Sequence, residues 1–299
     1  MGFSARLKTI VVATDLGGQS EAALEYARKL AAAYGARIVL AHGVDPLDYA
    51  AVDAIPETVL DRLTGEAREA LDRMAGELLR AGIHSHSEVR QGAVAQMLVD
   101  VAKQYEAGLM VIGTKGMEGA GPVVVGSIAE QVVRLAPCPV LAVAADWNAG
   151  AHRPTPGGPV LLAMERNEAA RAAAETAYSL AEVFARTLLV VNARTAAETA
   201  AILNPCGDPL REFGIDTRGR VKVECVVKDG EPAEAVEQAI EQHHPSVLVC
   251  GVKRASRLPG PHGTAFALMA RSRVPVLCVP PEPETAGVEH EPCVSAEAV

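Results

Sequence analysis

The stretch from Ala107 to Ile128, AGLMVIGTKGMEGAGPVVVGSI, sets Gly113, Gly116, Gly126 and Ser127 between an apolar run and a segment of helical period. The run ending at Ile112 reads as a buried parallel strand, and Gly113 to Gly121 supply a loop free to take positive φ and to approach a ligand closely. Such a loop is suited to holding an anion. Beyond it, SIAEQVVRL carries apolar residues at helical spacing, Ser127 reads as its N-cap, and Glu130 three residues on completes a capping box. Unpaired N–H groups at that helix start, with those of the loop, would point at phosphate oxygens. Each charge-assisted hydrogen bond contributes roughly 1.5–3 kcal/mol. A few of them with a buried base reach micromolar binding, about −8 kcal/mol. Glycine-rich strand-to-helix turns also occur in α/β proteins that bind nothing, so the glycines alone leave both readings open.

Asp15 follows the strand-like run KTIVVAT. A carboxylate at the carboxyl end of a parallel strand stands in the crevice where open α/β sheets bind ligands, and accepts from hydroxyl or amino groups there. It also reads as an N-cap for a helix beginning near Ser20, or as a turn aspartate. Lys115, inside the glycine loop, offers a mobile point charge to a phosphate, or else faces solvent. No G-x4-GK[ST] sequence occurs, so the site is not a P-loop. His42 ends the second strand and reads as a satisfied histidine, because no serine or cysteine is paired with it. His84 and His86 alternate on a solvated face, and His243 and His244 fall at a helix C-terminus, where positive charge is favoured. The six cysteines, at 138, 206, 225, 250, 278 and 293, show no C-x-x-C pair or histidine spacing, so no metal site is expected. Cys225, Cys250 and Cys278 lie in apolar runs as small hydrophobes. Cys206, in NPCGDP, is the exposed thiol.

The elements that position these residues are read from periodicity. KTIVVATD, ARIVLAHG, HSEVRQG, LMVIGT and PVLAVAA are strands separated by helical stretches, which implies a parallel sheet with right-handed crossovers. The 299 residues are enough for two domains with proper cores. With 49% hydrophobic but 3% aromatic residues, those cores must be aliphatic. A net charge of −9 without a basic cluster excludes a phosphate-backbone binder, so no nucleic-acid partner is expected. No uncharged apolar stretch of about 18 residues occurs, so no membrane span is expected. The N-terminus enters a strand rather than a signal segment, and a cytoplasmic location follows as the simplest expectation.

The chain also repeats itself. At an offset of 150, VVATD lies over Leu161 to Glu165 and LAAAYGARIVLAHG over LAEVFARTLLVVNA; at 138, LMVIGTKG lies over VLVCGVKR. The period is a domain length, so this is a tandem pair. The twelve residues lost between the two offsets fall where the first copy has the helix ETVLDRLTGEAREALDRMAGELLRAG, so its counterpart near 196–213 is expected to be short or irregular. WNAGAHRPTPGGP, residues 147–159, reads as a linker, and the acidic segment beyond Pro280 as a loose tail.

The full spacing, G-x2-G-x9-G-S, resembles the nucleotide-binding signature of the universal stress protein family. TIVVATDLGGQSEAALEYARKLAAAYGARIVLAHGVD is similar to that family's first strand, long helix and second strand, and PCPVLAVAAD to its last strand. The resemblance covers residues 7–146, with a weaker second copy. It implies an α/β fold of two doubly wound, open, parallel five-stranded sheets, Rossmann-like with strand order 3-2-1-4-5. It divides the chain into 1–146 with an intact motif, a linker, a degenerate domain at 160–281, and the tail 282–299. The implied ligand is ATP, alone or with Mg2+. Ala13, Thr14, Asp15 and Gly43 would line the adenine and ribose pocket, and Gly113, Gly116, Gly126 and Ser127 would hold the phosphates. Ile112, Lys115 and Ile128 complete the candidate set. Asp15 is followed by Leu-Gly-Gly-Gln-Ser where the family has Gly-Ser at once.

The family joins subunits through the fifth strand, so PVLAVAA and PVLCVPP are expected to pair the two halves as an internal dimer; a homodimer of whole chains is left open. The second copy departs from the pattern, with Glu165 for Asp15 and Arg254 for Gly116. Gly263 and Thr264 stand in for Gly126 and Ser127, at a distance of 12 rather than 13 from Gly251. Lys253, Arg254 and Arg257 leave side-chain anion binding open there. The function implied is a nucleotide-responsive regulatory or stress-protection protein with unidentified protein partners. The alternatives are an interaction scaffold without nucleotide and a weak ATPase. No catalytic residue is named, because no carboxylate or histidine is placed to orient a water.

Overall fold

The computed structural model describes residues 3–46, 57–114, 125–144, 157–165, 167–194, 210–217, 219, 221–253, 263–272 and 274–282. In the first half, apolar runs form β1 (Thr9–Ala13), β2 (Arg37–Val44), β4 (Leu109–Gly113) and β5 (Val140–Val143), and the more polar SHSEVRQ forms β3 (Ser85–Gln91). The second half repeats them as β6 (Val160–Ala163), β7 (Leu188–Arg194), β8 (Val223–Asp229), β9 (Val247–Gly251) and β10 (Val276–Val279). Helices are α1 (Phe3–Arg6), α2 (Gly18–Tyr34), α3 (Glu57–Arg80), α4 (Val94–Gln104), α5 (Ser127–Leu135), α6 (Ala170–Val183), α7 (Pro232–His243) and α8 (Thr264–Arg271).

The strand order is β3-β2-β1-β4-β5-β10-β9-β6-β7-β8. Each half therefore has the expected 3-2-1-4-5 order, all parallel within itself. The two sheets are not separate. β5 and β10 pair antiparallel, with Leu141 opposite Leu277, so ten strands form one sheet and the anticipated pairing of the fifth strands is its seam. The reversal turns the carboxyl ends of the two halves toward opposite ends of the molecule.

Strands buried along their whole length need cover on both faces. One face is covered by α2, α3 and α6, the other by α4, α5, α7 and α8, and each core runs across the seam. Close packing is achieved with small residues. In α2, Ala23, Ala27 and Ala31 are buried one above another, and the helix stops at Gly35, whose φ of 65° closes its C-terminus on Ala31 O. The outer strands β3 and β8 are half-exposed and charged, which discourages further pairing at those edges.

The N-terminus was expected to enter a strand directly, but α1 precedes it. Burial of Phe3 explains this: its ring meets Tyr34 edge-on at 6.2 Å, and Tyr34 meets Phe184 of the second half at 6.2 Å. The counterpart of α3 lies largely outside the described residues; its described end is a short 3-10 turn at Arg211–Phe213. Linker residues 147–156 and tail residues 283–299 also lie outside them. Among the described residues no helix is long and apolar enough to cross a membrane.

Leu141 is 2% exposed and faces Leu277 across the seam. Leu141→Ala is expected to lower the stability of the whole chain by about 2–5 kcal/mol, read from urea unfolding. A loss confined to one half, seen as two separated transitions, would show that the seam does not couple the halves.

Candidate functional site

β1 and β4 are neighbours, Val12 opposite Val111, but their connections leave on opposite faces of the sheet. Ligands of open α/β sheets bind at such a switch point. The turn after β1 forms one wall. Leu16 N–H donates to Thr14 Oγ1 at 3.0 Å, Gly17 N–H to Asp15 Oδ1 at 2.9 Å, and Leu16 is held at φ 61°. Thr14 is buried, with Oγ1 2.8 Å from Ser20 Oγ, and Ser20 donates to Gly17 O at 2.9 Å. The inserted Leu-Gly-Gly-Gln is thus folded back by three side-chain oxygens. Asp15 is a turn aspartate, as one reading of it had it, and one carboxylate oxygen is committed to the turn. α2 itself begins at Gly18, two residues before the expected start, with Gly17 as its N-cap.

The other wall starts where β4 ends. Gly126 N–H donates to Thr114 O at 2.9 Å, pinning together the two ends of the glycine loop. Lys115 and Gly116 lie outside the described residues. The helix start corrects the capping assignment. Gly126, at φ −60° and ψ 142°, is the N-cap, and Ser127 is the first helical residue, so its hydroxyl does not cap the helix. Glu130 is then one position too far along for a capping box. It pairs instead with Arg134, at 3.1 Å, whose guanidinium stacks on Phe266 of the second half at 4.7 Å. The absence of a side-chain cap leaves the first amide N–H groups of α5 for an outside acceptor. Ile128, 42% exposed, sits beside them.

The remaining candidates divide. Ala13 ends β1 and Gly113 ends β4 at the crevice, with Ile112, one residue before, 2% exposed and part of the core. Gly43 has a packing reason: a Cβ there would stand 2.8 Å from Met97 and 3.0 Å from Val94, so glycine lets α4 lie against β2. His42 Nδ1 donates to the Thr14 carbonyl at 2.8 Å, in line with a histidine held at the strand end. Thr114 and the contact of Thr14 with Ser20 were not singled out from the sequence; for Thr114 the signal was a polar residue at the end of an apolar strand.

In the corresponding part of the second half, Asn167 lies against the end of β9. Asn167 Oδ1 accepts from Ala169 N–H at 2.9 Å, and Asn167 donates to Glu165 at 3.4 Å. A Cβ on Gly251, the counterpart of Gly113, would stand 3.0 Å from Asn167 Oδ1 and 3.1 Å from Ala169 Cβ. Arg254 and Arg257 lie outside the described residues; Lys253 is exposed. A larger groove of about 1200 Å³ lies elsewhere, between the amino ends of the first half's strands and α6. It contains no candidate residue, and its Arg6 and Arg37 are engaged by Glu282 at 2.9 Å and Thr9 at 3.0 Å. Among the described residues no three His, Cys, Asp or Glu side chains cluster to hold a metal.

With this geometry in hand, the model of the universal stress protein family matches residues 6–144 and again 158–280. The chain belongs to the universal stress protein family. Its two matches make it a tandem member. A universal stress protein of Methanocaldococcus jannaschii is 32% identical over 138 residues, covering 46% of this chain and 81% of that protein. One from Thermus aquaticus is 32% identical over 137 residues, covering 46% and 98%. Among solved structures, a universal stress protein from Archaeoglobus fulgidus has a TM-score of 0.73 at 19% identity, covering 91% of this chain and 98% of that one. That last likeness concerns the fold.

Thr14→Val removes the acceptor of Leu16 N–H in a buried turn and is expected to destabilise the protein by about 1–3 kcal/mol, whereas Thr14→Ser keeps the oxygen and most of the stability. Equal losses in denaturant titrations of the two variants would show that the methyl group, not the hydroxyl, matters.

Proposed function

We propose that the first half binds ATP at this switch point and that the protein acts as a nucleotide-responsive regulatory or stress-protection protein. The observation that supports this reading is the Gly126 N–H to Thr114 O bond, which sets an uncapped helix start directly above the end of β4. Amides left without internal acceptors suit phosphate oxygens, and the positive end of the helix dipole adds to the attraction.

In this reading the N–H groups of Ser127, Ile128 and the loop around Gly113 and Gly116 take the phosphates, with Lys115 as a mobile charge. Asp15 keeps one oxygen for a ribose hydroxyl while the other holds the turn. Ala13, Thr14, Gly43 and Ile112 form the floor and side of the base pocket. Mg2+ would enter with the phosphates. Hydrolysis is not part of the proposal: His42, the titratable ring nearest the turn, spends Nδ1 on the Thr14 carbonyl. The second half serves as a structural partner, because Asn167 and Ala169 stand where a ligand would meet Gly251.

A ligand that binds the folded state alone stabilises it by about 2.7 kcal/mol at a hundredfold excess over Kd. ATP is expected to raise the melting temperature of the full chain, and Gly116→Arg, which gives the first half the residue of the second, to abolish the rise. A rise that survives in Gly116→Arg removes the glycine motif from the explanation; no rise with ATP, ADP or AMP removes adenine nucleotide altogether.

A further inference from the structure

In the second half, three sulfur-bearing side chains from three elements are buried in one cluster. Cys250 of β9 and Cys278 of β10 are directly opposite in the parallel register. Cys278 Sγ donates to Met269 Sδ of α8 at 3.5 Å, and Cys250 lies beside Cys278 across the strand pair. The three residues are 4%, 1% and 2% exposed.

Hydrocarbon filling would serve this place equally well, and in the first half it does. The matching register pair there is Ile112 opposite Ala142, covered by Val132 and Val133 of α5. Sulfur replaces hydrocarbon at all three positions in the half that has also lost its glycine motif. We propose that Cys250, Cys278 and Met269 form a binding site for a soft monovalent metal ion, Cu(I).

The donor set selects the ion: two thiols and a thioether suit Cu(I) and disfavour hard cations such as Mg2+ or Ca2+. The spacing fits. A three-coordinate ion about 2.3 Å from each sulfur holds the sulfurs about 4 Å apart, and strands about 4.8 Å apart bring two in-register cysteines into that range. Binding forms two copper–thiolate bonds and one dative bond from Met269 Sδ, releases the two thiol protons, and transfers no electron. Contact with Cys278 comes first and burial second in pushing the Cys250 thiol up, with Glu165 a lesser contributor. Because protons and copper compete for the same sulfurs, affinity falls as pH falls.

The test is an anaerobic titration of the full chain with Cu(I) against a chromogenic Cu(I) chelator, in a background with Cys138, Cys206, Cys225 and Cys293 changed to alanine. One equivalent is expected to be withdrawn from the chelator, with near-ultraviolet sulfur-to-copper absorption and a raised melting temperature. Cys278→Ala, the residue the first half carries at this place, should abolish all three signals. Met269→Leu keeps the volume, so it should fold and yet bind about tenfold or more weakly. Failure of the parent background to take copper from the chelator overturns the proposal. So does unchanged one-equivalent binding in Cys278→Ala or Met269→Leu.

Discussion

The architecture depends on the hydrogen-bonding groups along one edge of each fifth strand. β5 and β10 are buried apolar strands of four residues, and a five-stranded parallel sheet leaves the outer N–H and C=O groups of its last strand unpaired. Burying them unpaired is costly, and exposing so apolar an edge invites association. Each half satisfies the other. The antiparallel seam then makes both cores continuous, and the Arg134 stack on Phe266 and the Phe3–Tyr34–Phe184 ladder reinforce the joint on either face of the sheet.

Much of this was legible in the chain. Parallel strands covered on both faces must be apolar throughout, so β1, β2, β4 and β5 stand out as unbroken runs, and the glycine spacing pointed to the end of β4. What escaped notice depends on distance in space rather than on type. Ser127 and Gly126 are both acceptable helix boundaries, and the choice between them turns on where the Gly126 amide finds its acceptor, Thr114 O, twelve residues back. The Thr14–Ser20 contact depends on a left-handed Leu16, a conformation the residue type disfavours, so local preference gave no warning. Gly43 also has a packing role the sequence did not announce: it admits α4 against β2.

The two halves show how one fold is spent differently. In the first, position 17 is a glycine whose amide is held by Asp15. In the second, the matching residue is Asn167, whose side chain caps the turn before α6 and lies against Gly251. The interior changed too, from Ile112 and Ala142 to a pair of thiols in the same register.

The seam joins two parts of one polypeptide, so their encounter is intramolecular and dilution does not undo it. An assembly of identical subunits must repeat every substitution on both sides of its two-fold axis. Covalent fusion lifts that obligation: one end can drift while the other is held by selection, and the drifting end still supplies the edge its neighbour needs. Asymmetry of this kind is carried within a single chain.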